Sequence, residues 1–222
     1  GVVFSVLFCL NLVLWTKGSS GAIPFSAFFT LLFLWFCVSV PLVFLGGFYG
    51  YRREAPTFPV RTNQIPRAIP QQPWYFHPII TSLVGGVLPF GAVSVELFFI
   101  MSALWLHQMY YIFGFLFLVM VVLILTCAEI SILLCYFQLC SEDYRWWWRS
   151  FLHAGACAAY TMLYAIWYHL TEMEMHGFVA LLIYYGYMAI ISFTLFLVTG
   201  TIGFYSCYWF NQQIYASIKV DQ

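Results

Sequence analysis

Charge is what this sequence has least of. Only 7% of its 222 residues are Asp, Glu, Lys or Arg, where a soluble domain carries about 25%. That is too few to clothe a body of this size in water. Eight basic and eight acidic residues cancel to a net charge of zero, so no bulk positive field points to nucleic acid. A charged leader followed by a small-residue cleavage site is also lacking. The chain opens at Gly1 inside an apolar run, which reads as a missing upstream part rather than a signal peptide. The seven cysteines are odd in number and form no Cys-x-x-Cys, which suggests neither a disulfide framework nor a zinc site. They read as small buried hydrophobes. There is no Ser-x-x-Lys, no zinc-protease helix motif and no phosphate-cradling glycine loop, so no enzyme is read here and no cofactor or metal site is expected.

Apolar residues fill the space. Hydrophobic residues make up 64% of the chain and aromatic ones 22%, with a mean hydropathy of +0.89. A membrane helix needs about 20 apolar residues to cross a hydrocarbon core about 30 Å thick. On that rule the sequence predicts an all-α, polytopic transmembrane bundle of six spans, at about 1–16, 23–49, 77–106, 109–139, 150–170 and 178–210. The last is long, and Thr199-Gly200-Thr201-Ile202-Gly203 is its one weak point, where glycines break or kink it; a single tilted or kinked helix with an interfacial tail is expected rather than two crossings. Ser141-Glu142-Asp143 reads as a helix N-cap followed by acids in the first turn, starting the fifth helix there.

The largest polar segment runs from 52 to 74, and its prolines at 56, 59, 66, 70 and 73 exclude a regular helix. Basic residues collect on the cytoplasmic side of short loops. Six spans put Arg52, Arg53, Arg61, Arg67, Arg145, Arg149 and Lys219 on one side, leaving only Lys17 on the other. The proline-rich loop and the C-terminus are therefore expected in the cytoplasm.

Two acids, Glu96 and Glu129, stand inside predicted spans. A carboxylate in a bilayer costs several kcal/mol by most scales (order of magnitude), so such residues usually face protein or water. They read either as rungs of a proton or cation path, or as a polar group that recognises another membrane helix. The plainer alternative is a hydrogen-bonded glutamate that fixes packing. Helix rise separates the two in depth by very roughly 10–15 Å, which rules out a direct dyad in straight helices. Arg145-Trp146-Trp147-Trp148-Arg149 reads as an interfacial anchor whose arginines hold lipid phosphates. Glycines 46, 47, 50, 85, 86, 91, 200 and 203 mark close helix approaches, either within the bundle or with a partner helix. Met173-Glu174-Met175-His176 contains soft donors of the kind copper(I) uses, although so short a cluster reads first as an ordinary loop.

Longer motifs are more specific. Pro41-Leu42-Val43-Phe44 to Gly50-Tyr51-Arg52-Arg53 leads into Pro59-Val60-Arg61-Thr62-Asn63-Gln64-Ile65-Pro66-Arg67. Gly85-Gly86-Val87-Leu88-Pro89-Phe90-Gly91 runs on to His107-Gln108-Met109-Tyr110-Tyr111, and Cys135-Tyr136 runs through Glu142-Asp143-Tyr144 to Trp148-Arg149-Ser150-Phe151. With Gly200-Thr201-Ile202-Gly203-Phe204 and Ile214-Tyr215 to Lys219-Val220-Asp221, these stretches resemble the transmembrane 9 superfamily, or nonaspanins, from end to end, nearest the member-two and member-four branch. The resemblance implies the last six of nine spans, with an N-terminal lumenal domain and the first spans absent. It implies Golgi and endosomal membranes and a role in sorting and localising other membrane proteins. The partners it implies are the lipid bilayer, client transmembrane proteins and coat-protein machinery. Lys219 and Asp221 match a tail that coats recognise in the family, with Gln222 following where the family chain ends. The alternative function is a proton or cation transporter or channel using Glu96 and Glu129.

Overall fold

The computed structural model describes residues 2–16, 18, 22–54, 60, 65–106, 109–171 and 177–217, with the side chains of 96–113, 115 and 116 outside that description. The fold is all-α. Its helices are α1 (Val2–Thr16), α2 (Phe25–Leu34), α3 (Val40–Tyr51), α4 (Pro78–Leu106), α5 (Met109–Cys140), α6 (Trp146–Gly155), α7 (Cys157–Thr171) and α8 (Phe178–Ser217). In hydrocarbon every backbone N–H and C=O must find its partner within the chain, and an α-helix achieves this alone. Long apolar runs therefore fold as helices whatever their intrinsic propensity. The chain forms two units, Gly1–Phe58 and Pro59–Gln222.

In the first unit α2 and α3 are one rod joined by a π-helical turn at Trp35–Ser39. The turn sits just ahead of Pro41, which has no N–H to give and whose ring crowds the preceding turn. Widening the helix relieves that crowding, and Val40 donates five residues back to Trp35 O. Asn11 ties α1 to the start of α2. Its side chain donates to Ile23 O at 3.0 Å and accepts from Ile23 N at 2.8 Å, while Trp15 Nε1 reaches the same carbonyl. Phe28 fills the space between, edge-on to Phe4 and Phe8.

In the second unit α8 packs along α5, α6 and α7, and α4 packs across α5, α6 and α7. The contacts pair Ser131 with Cys207 and Cys135 with Asn211, so α5 and α8 run in the same direction. The core is built of small side chains. Val93, Leu123, Cys127, Ala154 and Cys157 form its apolar centre, and small residues let helix backbones approach without a lipid-driven force between them.

The glycines show how close that approach is. A Cβ on Gly86 would lie 2.7 Å from the Ala156 carbonyl carbon, and one on Gly203 would lie 2.7 Å from Ala154 Cβ. Gly200 receives the ring of Phe151 in the same way. Among the described residues nothing comes within 4 Å of a Cβ built on Gly46, Gly47, Gly50 or Gly91.

Three sequence expectations are corrected. The single long helix expected at 178–210 is present and runs on to Ser217, but Gly200 and Gly203 do not break it: they are seats for Phe151 and Ala154. The region read as one fifth span divides instead into α6 and α7 at Ala156, a turn residue. The chain there carries Gly155, a poor helix former, and meets the Gly86 backbone of α4. Ser141 is not an N-cap. It belongs to the end of α5, where its Oγ donates back to Phe137 O at 3.0 Å. Glu142 takes a left-handed φ of 60°. Its N–H bonds Leu139 O, and the next N–H, of Asp143, bonds Gln138 O, which is the Schellman closure of a helix C-terminus. α6 starts only at Trp146.

Candidate functional site

α5 has two faces. One carries the buried residues Leu123, Cys127, Ser131, Cys135 and Gln138 toward the bundle. The other is exposed along Val122, Leu125, Glu129, Leu133, Tyr136 and Cys140. Glu129 is the only charged residue of α5, and it lies on this second face. Among the described residues its carboxylate has neither a hydrogen bond nor an ion pair. Seven residues separate it from Tyr136, so it sits about 10 Å inside the level of that ring. Tyr136, Trp147 and Trp148 are all exposed and form the kind of aromatic belt that marks a membrane surface. Glu96 is the only charged residue of α4, and its side chain lies outside the described residues. Counting from the contact of Gly85 with Leu134, the Glu96 backbone lies about 10 Å farther from this belt than that of Glu129.

At the belt, the turn between α5 and α6 forms a charged elbow. Asp143 is only 1% exposed. Its Oδ1 accepts from the Arg145 N–H at 3.1 Å and lies 3.6 Å from Arg145 Nε. Its Oδ2 meets Arg149 Nη2 at 3.0 Å. Gln138, buried one turn earlier, donates to Arg145 O at 2.9 Å. The Arg-Trp-Trp-Trp-Arg run is thereby sorted by direction. Arg149 turns inward to Asp143, and Trp146 stacks on Phe204 at 5.8 Å. Trp147 and Trp148 face outward, as does Arg145, whose side chain is 58% exposed. The proline-rich segment reaches the same elbow, with Gln72 Nε2 donating to Ser141 O at 2.8 Å and Arg67 pairing with Glu142 at 3.3 Å.

Sequence reasoning passed over three polar groups. Asp143 was read only as a first-turn acid, although arginines two and six residues on surround it. Asn11 in an apolar run was a signal in itself. His153 is buried where α6 crosses α4. Its ring Nε2 lies 3.1 Å from Thr81 Oγ1, whose hydroxyl also reaches the carbonyls of His77 and Pro78 at 3.2 Å. The His153 Nδ1 is buried and has no hydrogen-bond partner among the described residues.

No three His, Cys, Asp or Glu side chains converge among the described residues. Lys219, Asp221 and the Met-x-Met-His run at 173–176 lie outside the described residues.

Four helices among the described residues are long and apolar enough to cross a membrane. With the apolar exterior and the aromatic belt, they define a polytopic α-helical membrane protein. The chain belongs to the endomembrane protein 70 (EMP70) family, whose model matches residues 1–178. It is 57% identical to transmembrane 9 superfamily member 10 of Arabidopsis thaliana over 219 residues, 99% of this chain and 34% of that protein. Human member 4 is 52% identical over 221 residues, covering all of this chain and 34% of the relative. Human member 2 is 51% identical over 221 residues, covering all of this chain and 33% of the relative. The chain thus spans about one third of the length of these relatives. No solved structure matches it.

Proposed function

We propose that this chain is part of a Golgi and endosomal membrane protein that sorts and localises other membrane proteins by receiving their transmembrane helices against α5. The observation that carries the reading is the unpartnered Glu129 on an exposed, otherwise apolar stripe of that helix. A carboxylate in hydrocarbon calls for a polar partner, and the apolar residues on either side supply a surface that only another membrane segment or lipid covers. In this reading the basic elbow and the tail are cytoplasmic. Lys219 and Asp221 then engage coat proteins, while Arg145, Trp147 and Trp148 hold the elbow at the headgroups.

The test uses the intact protein in cells. Glu129→Gln should reduce surface delivery of a client membrane protein while leaving the sorter in its own compartment. Changing Lys219 and Asp221 to Ala should instead release the sorter to the cell surface. Proton or cation flux through reconstituted liposomes that disappears in Glu129→Gln would overturn the reading in favour of transport.

A further inference from the structure

The stripe around Glu129 has the spacing of a helix-pairing seam. Val122, Leu125, Glu129, Leu133 and Tyr136 follow one another at intervals of three and four residues, and all are exposed. That spacing keeps a line of side chains facing one partner helix, and a single polar residue in such a seam specifies register and partner at a cost in stability. The helices packed on α5 do not complete the seam. α4 and α8 contain no Lys or Arg, and near α6 Arg149 turns inward to Asp143 while Arg145 stays at the belt, within 3.6 Å of the same carboxylate. The acid therefore faces outward with no cation at its level among the described residues.

We infer that the seam selects, among transmembrane helices of other proteins, those carrying one lysine or arginine about 10 Å inside the membrane surface, opposite Glu129. This rests on the helix-recognition reading above and adds the chemistry of the partner. Charge complementarity argues for a cation rather than a second copy of this chain, because two copies would set two carboxylates face to face. A lysine at that depth is itself costly in lipid. Each charge thus removes the other's penalty, and a helix without the cation leaves Glu129 unrelieved. Depth is part of the selection: a cation within one turn of the surface snorkels to water and gains nothing from Glu129.

The experiment reconstitutes the intact protein in nanodiscs and titrates synthetic single-span polyleucine peptides, followed by energy transfer. One peptide has only leucine in its span, one has lysine about 10 Å below the surface, and one has lysine in the outermost turn. The deep-lysine peptide should bind at least tenfold more tightly than the other two. Glu129→Gln should abolish that preference, and Glu129→Lys should transfer it to a peptide with glutamate at the same depth. The glutamine variant keeps the side-chain size, so its fold is checked by unchanged thermal unfolding. Equal binding of all three peptides would overturn the proposal, as would a lysine preference that survives Glu129→Gln. So would a photo-crosslinker at Leu133 that labels only the protein's own spans. If the preference fails while client delivery in cells still depends on Glu129, the cation specificity falls and helix recognition stands. If delivery is also indifferent to Glu129, both fall.

Discussion

Replacing Asp143 with Asn removes one charge from the elbow and leaves nearly all of its shape. The Oδ1 acceptor for the Arg145 N–H remains. What is lost is the charge opposite Arg149, whose side chain is 18% exposed and whose Nη2 stands 3.0 Å from Oδ2. Breaking one side of a buried ion pair costs about 3–5 kcal/mol, because the surviving charge stays desolvated. Here the partial exposure of Arg149 lets water relieve part of that, which sets the expectation at about 2–3 kcal/mol. Arg145 adds little, since its side chain is 58% exposed and such pairs contribute about 0–1 kcal/mol. For a chain of this size the loss corresponds to roughly 5–10 °C in Tm, on the scaling of soluble domains.

The buried thiols of Cys127, Cys135, Cys157 and Cys207 provide the assay. With the exposed Cys9, Cys37 and Cys140 changed to Ala, a thiol-reactive dye reports only on opening of the core. Asp143→Asn should unfold earlier, and adding Arg149→Gln should recover most of the loss by removing the stranded charge. A single variant within about 0.5 kcal/mol of wild type, or a double variant no better than the single, would refute the account of the elbow.

Glu142→Gly should raise stability by about 1 kcal/mol, because glycine takes the left-handed φ without the Cβ penalty. The exposed pair with Arg67 that it gives up is worth less. Gly86→Val should cost about 3 kcal/mol or more and expose the core thiols to dye at lower temperature, since the added atoms meet the backbone of Ala156 and Cys157. Gly46→Val should be near neutral in the same measurement, as its Cβ has open space. Asn11→Leu should destabilise the first unit by about 2 kcal/mol by breaking both bonds to Ile23, measured as loss of protection of the Ile23 amide in hydrogen exchange.

The helices were legible because lipid leaves the backbone no alternative. The apolar run from 77 to 106 folds as Pro78–Leu106, and that from 109 to 139 as Met109–Cys140. Composition failed where helices end or bend for reasons of packing. α8 continues to Ser217, beyond the point where its sequence stops being apolar. Asn211, just past the expected end of the span at 210, is buried and donates to Cys207 O and Cys135 Sγ. Gly200 read as a break because an isolated glycine weakens a helix by about 1 kcal/mol. The ring of Phe151 that fills its notch lies 49 residues away in sequence and is invisible to a local reading.

At the site, the peculiarity of Glu129 was evident from one acid in an apolar run. Its direction was not, since the sequence is apolar all round that helix and only packing tells the two faces apart. Ser141 misled for the opposite reason: the residues that favour a helix start also serve to finish one, and the choice is made by the backbone of Glu142.

The parallel pairing of α5 and α8 also governs the order of assembly. Ser131 O and Cys135 Sγ receive their partners from residues 76 positions later in the chain. At about 5–20 residues per second, a ribosome delivers those partners roughly 4–15 s after Ser131 and Cys135 themselves. Throughout that interval the inner face of α5 carries Ser131, Cys135 and Gln138 into the bilayer without α8 beside them. α4 and α6 can shield part of this face, but its closure waits for the last helix of the bundle. A chain stopped before Cys207 would retain every apolar segment needed for insertion and still leave a polar groove open to lipid. The bundle is therefore closed by α8, and synthesis of that helix is the step that commits it.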